Sequence, residues 1–268
     1  MKPLYILKIG GSVATYKNRP GFSVRNSLLK KIAKSIKKAQ EKENFDLILI
    51  HGAGAAGHQL AKQYGLQRGT GKNQKKMHGA FLSRFANQKL DVAVAEALYA
   101  GGLKIVSVHT ASIIIQKNGK ITKCDLEIIR DALDKECIPL LYGEMAFDEE
   151  LGMTICSGDA IAPYLAKELY AKKIFFASDA KGIFDKDPHI FKNARLIEKI
   201  SIKDIEKNVE LSNSHNIDAT DGMRGKIKNI KNLIKKSVKS VEIFDGHKAQ
   251  NYKKVFLREK FPHTVIQK

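Results

Sequence analysis

Six short runs read as strands, most of them almost continuously apolar: Leu4–Ile9, Leu47–Ile50, Leu103–Val108, Ile138–Tyr142, Ile174–Ala177 and Val241–Phe244. Helical patterns separate them, around residues 25–42, 57–64, 75–100, 125–136, 158–171 and 223–238. This alternation constrains the fold more than any other feature of the chain. A strand with one wet face alternates apolar and polar residues, whereas a strand apolar on both faces must be covered on both. The expected fold class is α/β: a three-layer α/β/α sandwich with a mainly parallel central sheet. Met145–Cys156 breaks the rule, because Asp148-Glu-Glu-Leu-Gly152 has the composition of a hairpin turn. No repeat or linker interrupts the pattern. We therefore read one domain, residues 1–268, with an N-terminal lobe of about 1–170 and a C-terminal lobe of about 171–268.

The formal charge is +19, from 47 Lys and Arg against 28 Asp and Glu. A balance this basic fits nucleic acid, an anionic membrane or anionic small substrates, and the placement of the lysines decides between them. Leu28, Leu29, Ile32, Ala33, Ile36 and Ala39 follow helical spacing, with Lys30, Lys31, Lys34, Lys37 and Lys38 between them. Gly225–Ser240 repeats the arrangement around Ile227, Ile230, Leu233, Ile234 and Val238. Lysine-coated outer faces of two helices account for the charge as solvated surface. RNA-binding and helix-turn-helix signatures are absent, so no nucleic-acid partner is expected. No run approaches the roughly 18 apolar residues of a membrane span. The apolar run before Gly10 is too short for a signal-peptide core. Cys124, Cys137 and Cys156 are scattered and form no CxxC pair, which fits a reduced cytoplasmic protein better than a disulfide scaffold or zinc site.

Chemistry concentrates where small residues directly follow a strand. Lys8-Ile-Gly-Gly-Ser12, with Lys17 beyond it, lets backbone N–H groups approach an anion while Lys8 neutralises charge; an ordinary strand-ending turn is the alternative. The GxxxxGK[ST] spacing of a Walker A loop is absent. His51-Gly-Ala-Gly-Ala-Ala-Gly-His58 places three glycines and two histidines in eight positions after an apolar strand. Such a nest holds an anion with His58 donating, or else packs a helix closely on a sheet. In Ser157-Gly-Asp-Ala160, Ser157 or Asp159 serves as a helix N-cap, or Asp159 orients lysines or holds Mg²⁺ through water. Ser178-Asp-Ala-Lys-Gly-Ile-Phe-Asp-Lys-Asp-Pro188 fails the calcium-loop pattern and suits a nucleotide-contacting loop at a strand's carboxyl end. In Asp218-Ala-Thr-Asp-Gly-Met-Arg-Gly-Lys226, Gly222 and Lys226 either meet phosphates or merely start a helix.

Taken in order, these segments resemble the amino-acid kinase superfamily and, within it, the isopentenyl phosphate kinase family. That family carries KxGGS, HGxGxxGH, SGD(D/A), (T/S)DxxG(I/V) and D(V/A)TGGM followed by a lysine, and the resemblance runs over roughly residues 4–250. The closing His58 points to this family, although related phosphonate-antibiotic kinases share it. The resemblance implies transfer of a phosphoryl group from ATP, with Mg²⁺, to isopentenyl phosphate, giving isopentenyl diphosphate in a mevalonate-type isoprenoid route, by a cytoplasmic homodimer. It implies that Lys8, Gly10, Gly11, Ser12, Lys17, Gly54, Asp179, Gly222 and Lys226 meet ATP. Ala53, His58 and Gly158 would meet the acceptor, and Asp159 would orient the lysines. No metal ligand is implied among the side chains. The acceptor's tail needs an apolar pocket, for which Met77, Phe81, Leu82 and Phe85 are candidates, unless they are ordinary core. Two positions depart from the family pattern: Ala53 and Asp221 stand where glycine is usual. An inward Asp221 would repel phosphate by about 1 kcal/mol or more. The alternatives are a kinase of another small phosphate, phosphonate or carboxylate acceptor, and a nucleotide-binding regulator without turnover.

Overall fold

The computed structural model describes residues 2–16, 23–186, 188, 190–204 and 238–267. In chain order its first half contains β1 (Leu4–Ile9), α1 (Gly11–Ala14), α2 (Asn26–Gln40), β2 (Asp46–His51), α3 (Gly54–Gln63), α4 (Gln74–Tyr99), β3 (Ile105–Ser107), α5 (Thr110–Ile113), β4 (Ile114–Lys117) and β5 (Lys120–Cys124). There follow α6 (Glu127–Asp134), β6 (Ile138–Tyr142), β7 (Glu144–Asp148), β8 (Gly152–Cys156), α7 (Gly158–Glu168), β9 (Lys173–Ser178), β10 (Lys199–Ser201), β11 (Ser240–Asp245), α8 (Ala249–Phe256) and β12 (Thr264–Gln267). The expected helix at 223–238, with its lysine-rich pattern, falls almost wholly outside the described residues.

Eight strands form one sheet in the order β3-β6-β2-β1-β9-β11-β12-β10, continuous from one half of the chain to the other. The pairings from β3 to β11 are parallel, and β12 joins β11 antiparallel. Period-two alternation explains why both faces are apolar. Ile6, Ile48, Ile50, Ile174 and Phe176 pack towards α6 and α7 through Ile129, Ile161 and Leu165. Tyr5, Leu7, Leu47, Leu49 and Phe175 pack on the other face, against α2, α4 and α8. In α2 the buried stripe is Leu29, Ile32, Ala33, Ile36 and Ala39, and the intervening lysines are exposed, as the spacing requires.

The order of the strands places the site. From β1 the chain goes to β2, then out to the edge strand β3 and later back to β6 between them, before crossing to β9 and β11 on the other side. The connections leaving β1, β2 and β9 diverge at the carboxyl edge, opening the crevice where ligands of open parallel sheets bind.

A second, four-stranded sheet, β5-β4-β7-β8, covers one end. Its β7–β8 hairpin turns at 148–152, as the composition predicts. The β4–β5 hairpin is one the sequence reading missed, although Asn118-Gly119 is a strong hairpin turn: φ is 51° and 70° at the two positions. Asp148 links both turns. Its Oδ1 accepts from the N–H groups of Asn118, Glu150 and Leu151, and its Oδ2 from Gly119 N–H at 2.7 Å.

Candidate active site

β1 ends in the turn Gly10–Gly11, where Gly10 N–H donates to Ala177 O at 2.8 Å. β2 ends at Gly52, and the two turns touch backbone to backbone. A Cβ on Gly11 would stand 2.8 Å from Gly54 N, and one on Gly52 would stand 2.8 Å from Gly11 N. Glycine is required here by this approach. Thr15 ties the turns together, donating from Oγ1 to Gly11 O at 2.8 Å and accepting from Ala55 N–H at 3.4 Å. Ala53 has φ −60° and ψ −12°, an ordinary right-handed conformation, so alanine in place of the family's usual glycine is unstrained. Helix α3 begins at Gly54, three residues earlier than the periodicity suggests, because the small residues of the turn themselves form its first turn.

Lys8 shares a strand face with Ile6 and so points towards α7. Ser157 caps that helix, its Oγ accepting from Ala160 N–H at 3.2 Å. Asp159 in the first turn meets Lys8 Nζ at 3.0 Å, and both side chains are nearly buried. Gly158 makes room: a Cβ there would lie 3.4 Å from Lys8 Cε and 3.1 Å from Ile50 Cγ2. Of the two alternatives for this segment, Ser157 is the cap and Asp159 the partner of a lysine.

These turns surround one cavity of about 470 Å³ at the carboxyl edge of the sheet. Lys8, Gly10, Gly11 and Ser12 line it from β1, and Ala53, Gly54 and His58 from the second turn. Gly158, Asp159 and Asp179 also line it. Lys17, Asp221, Gly222 and Lys226 lie outside the described residues.

The wall beyond His58 differs from expectation. Ala61, Met145 and Ile155 provide its apolar part, while α4 contributes Ser83 and Asn87. Of the expected residues, Met77 packs behind this wall on Ala61, Leu66, Ala80, Met145 and Met153. Phe81 and Phe85 are exposed. At about 100° per residue, positions 81 and 85 lie across the helix from 83 and 87, so one set faces out when the other faces the cavity. Gly143, following β6, also lines the cavity; it is a small residue after an apolar strand, and that signal was present in the sequence. Nothing in the sequence signals Thr15. Next to Gly143, the buried Glu144 receives Ala111 N–H at 2.8 Å and meets Arg84 Nε at 3.4 Å, and burial pushes its carboxyl above the ordinary range. Among the described residues no group of three or more His, Cys, Asp or Glu side chains is placed to hold a metal ion. No helix among them is long and apolar enough to cross a membrane.

Residues 3–245 match the amino acid kinase family. Isopentenyl phosphate kinase of Methanocaldococcus jannaschii is 34% identical, with 96% of each chain covered. The enzyme of that name from Methanothermobacter thermautotrophicus is 30% identical over 98% of each chain. A solved structure described as isopentenyl phosphate kinase superposes with a TM-score of 0.83 at 28% identity, covering 98% of this chain and 100% of its own. The glycine turns, the Lys8–Asp159 pair and the cavity between them are thus those of a chain that belongs to the amino acid kinase family, grouped in sequence and fold with its isopentenyl phosphate kinases.

Proposed function

We propose that this chain transfers the γ-phosphoryl group of ATP to isopentenyl phosphate, giving isopentenyl diphosphate and ADP. The observation that carries the reading is one cavity bounded by two interlocked glycine turns, the Lys8–Asp159 pair and His58, with an apolar wall of Ala61, Met145 and Ile155 beyond. The backbone N–H groups and Lys8 suit phosphate oxygens, and the apolar wall suits a short hydrocarbon tail.

Phosphoryl transfer depends on alignment and charge neutralisation more than on covalent help from the protein. An oxygen of the acceptor phosphate forms the new bond to γ-phosphorus while the bond to the β-bridging oxygen breaks, and the electron pair leaves on ADP. That acceptor oxygen is already ionised near neutral pH, so no general base is needed. In this reading Gly10, Gly11, Ser12, Gly54 and Asp179 surround ATP, and Lys8 neutralises charge on the transferring group. Ala53, His58 and Gly158 hold the acceptor, and Asp159 keeps Lys8 aimed. Lys17, Gly222 and Lys226 complete the ATP side. Magnesium, when bound to the phosphates, would neutralise part of their charge. We further propose that the part before about residue 170 takes the acceptor and lends its glycine turns and Lys8 to the ATP phosphates, while the part after it takes the rest of the nucleotide. The enzyme is proposed to be a cytoplasmic homodimer.

A coupled ADP-release assay with isopentenyl phosphate, fosfomycin and acetylglutamate tests the substrate. Turnover is expected with the first; preference for either of the others overturns the assignment. His58→Ala should lower kcat/KM by about a hundredfold, the loss of a charged or polar contact made at the acceptor, with an unchanged thermal midpoint.

A further inference from the structure

The second glycine turn opens with a histidine to which the reaction as described gives no task. His51 closes β2 and is fully buried. Its Nδ1 lies 2.9 Å from Gly52 O, and its Nε2 lies 3.2 Å from Oδ1 of Asp91, itself 1% exposed on α4. The ring stacks on Tyr142 with centroids 5.3 Å apart. A carbonyl and a carboxylate both accept hydrogen bonds, and a neutral imidazole has one N–H to donate. Both contacts stand only if a second proton is shared between Nε2 and Asp91. Wherever that proton resides, Nδ1 remains a donor to Gly52 O.

In a planar trans peptide the C=O and N–H point in opposite directions. Tying the Gly52 carbonyl inward to His51 therefore turns the Ala53 N–H away from it. Ala53 lines the cavity, and its N–H donates to no group among the described residues. We propose that His51, kept protonated at Nδ1 by Asp91, is a positioning residue that holds the Gly52–Ala53 peptide with its N–H presented to a phosphate oxygen of the ligand. This rests on the reading that the cavity takes phosphates.

Three substitutions test it. The His51→Asn side chain keeps an N–H near Nδ1, whereas His51→Gln places its amide near Nε2 and loses that donor. An Asn at Asp91 donates to Nε2 and so keeps the proton on Nδ1. His51→Gln is expected to lower kcat/KM for isopentenyl phosphate at least tenfold and to weaken inorganic phosphate binding in calorimetry. His51→Asn and Asp91→Asn should stay within about threefold of the parent protein. A purely structural role predicts that activity follows thermal stability in all three, and that outcome overturns the proposal. Absence of turnover with isopentenyl phosphate in the parent protein would refute the substrate reading alone, since the phosphate-binding comparison still reports on His51. Should His51→Gln not fold, titrating phosphate into ¹⁵N-labelled parent protein decides: the Ala53 amide is expected to shift downfield, and an unmoved resonance overturns the proposal.

Discussion

Lys8 sits on a central strand, 7% exposed, and lines the cavity. A lysine there costs desolvation unless an anion accompanies it, and Asp159 at 3.0 Å supplies one. The arrangement gives the pair two separable roles. Lys8→Met should abolish measurable turnover and also destabilise the fold, by about 3 kcal/mol, because the nearly buried Asp159 carboxylate loses its ion-pair contact at 3.0 Å. Adding Asp159→Asn to Lys8→Met should recover most of that stability while turnover stays absent. Denaturant titration beside the coupled assay checks both, and a double variant that regains activity would remove Lys8 from the chemistry. The same scale explains Ala53: its right-handed φ and ψ need no glycine, so Ala53→Gly should leave kcat/KM within about twofold.

Among the elements, the two hairpins of the smaller sheet depend on one carboxylate. Burial pushes the Asp148 carboxyl up, but the N–H groups of Gly119, Glu150 and Leu151 and the Thr154 hydroxyl outweigh it and hold the group below the ordinary carboxylate range. A carboxyl depressed on folding stabilises the native state above its unfolded pKa, and the contribution disappears as pH falls through the folded value. Asp148→Asn should therefore cost about 2 kcal/mol at neutral pH, from lost hydrogen bonds to a charged acceptor, and progressively less in acid. Unfolding midpoints of parent and variant that stay equally far apart from pH 7 down to pH 3 would contradict this. Because β7 and β8 carry Met145 and Ile155 into the cavity wall, the loss should also raise KM for the acceptor.

For the whole molecule, the long helix α4 has two apolar faces. One is buried through Ala80, Leu90, Val94 and Leu98; the other leaves Phe81, Phe85, Val92 and Tyr99 exposed, Tyr99 by 72%. At about 100° per residue the exposed four lie within about 40° of one another, a single stripe along the helix. Such a stripe is costly to leave in water and supports the proposed pairing of two chains. Phe85→Glu is expected to shift the sedimentation coefficient from dimer to monomer; a parent protein that sediments as a monomer ends the dimer proposal. The sequence alone determined the layers, since strands apolar on both faces have no stable arrangement but a sheet covered on both sides. It also marked the glycine turns, because phosphate-binding backbone leaves a local trace in residue type. The β4–β5 hairpin was equally local, and its Asn-Gly turn was legible though unread. Only the tertiary structure decided which face of α4 meets the cavity, that Asp159 accompanies Lys8, and that Asp91 comes within 3.2 Å of His51. Those facts depend on the crossing of elements far apart in the chain, and a single strand or helix carries no record of its distant neighbours.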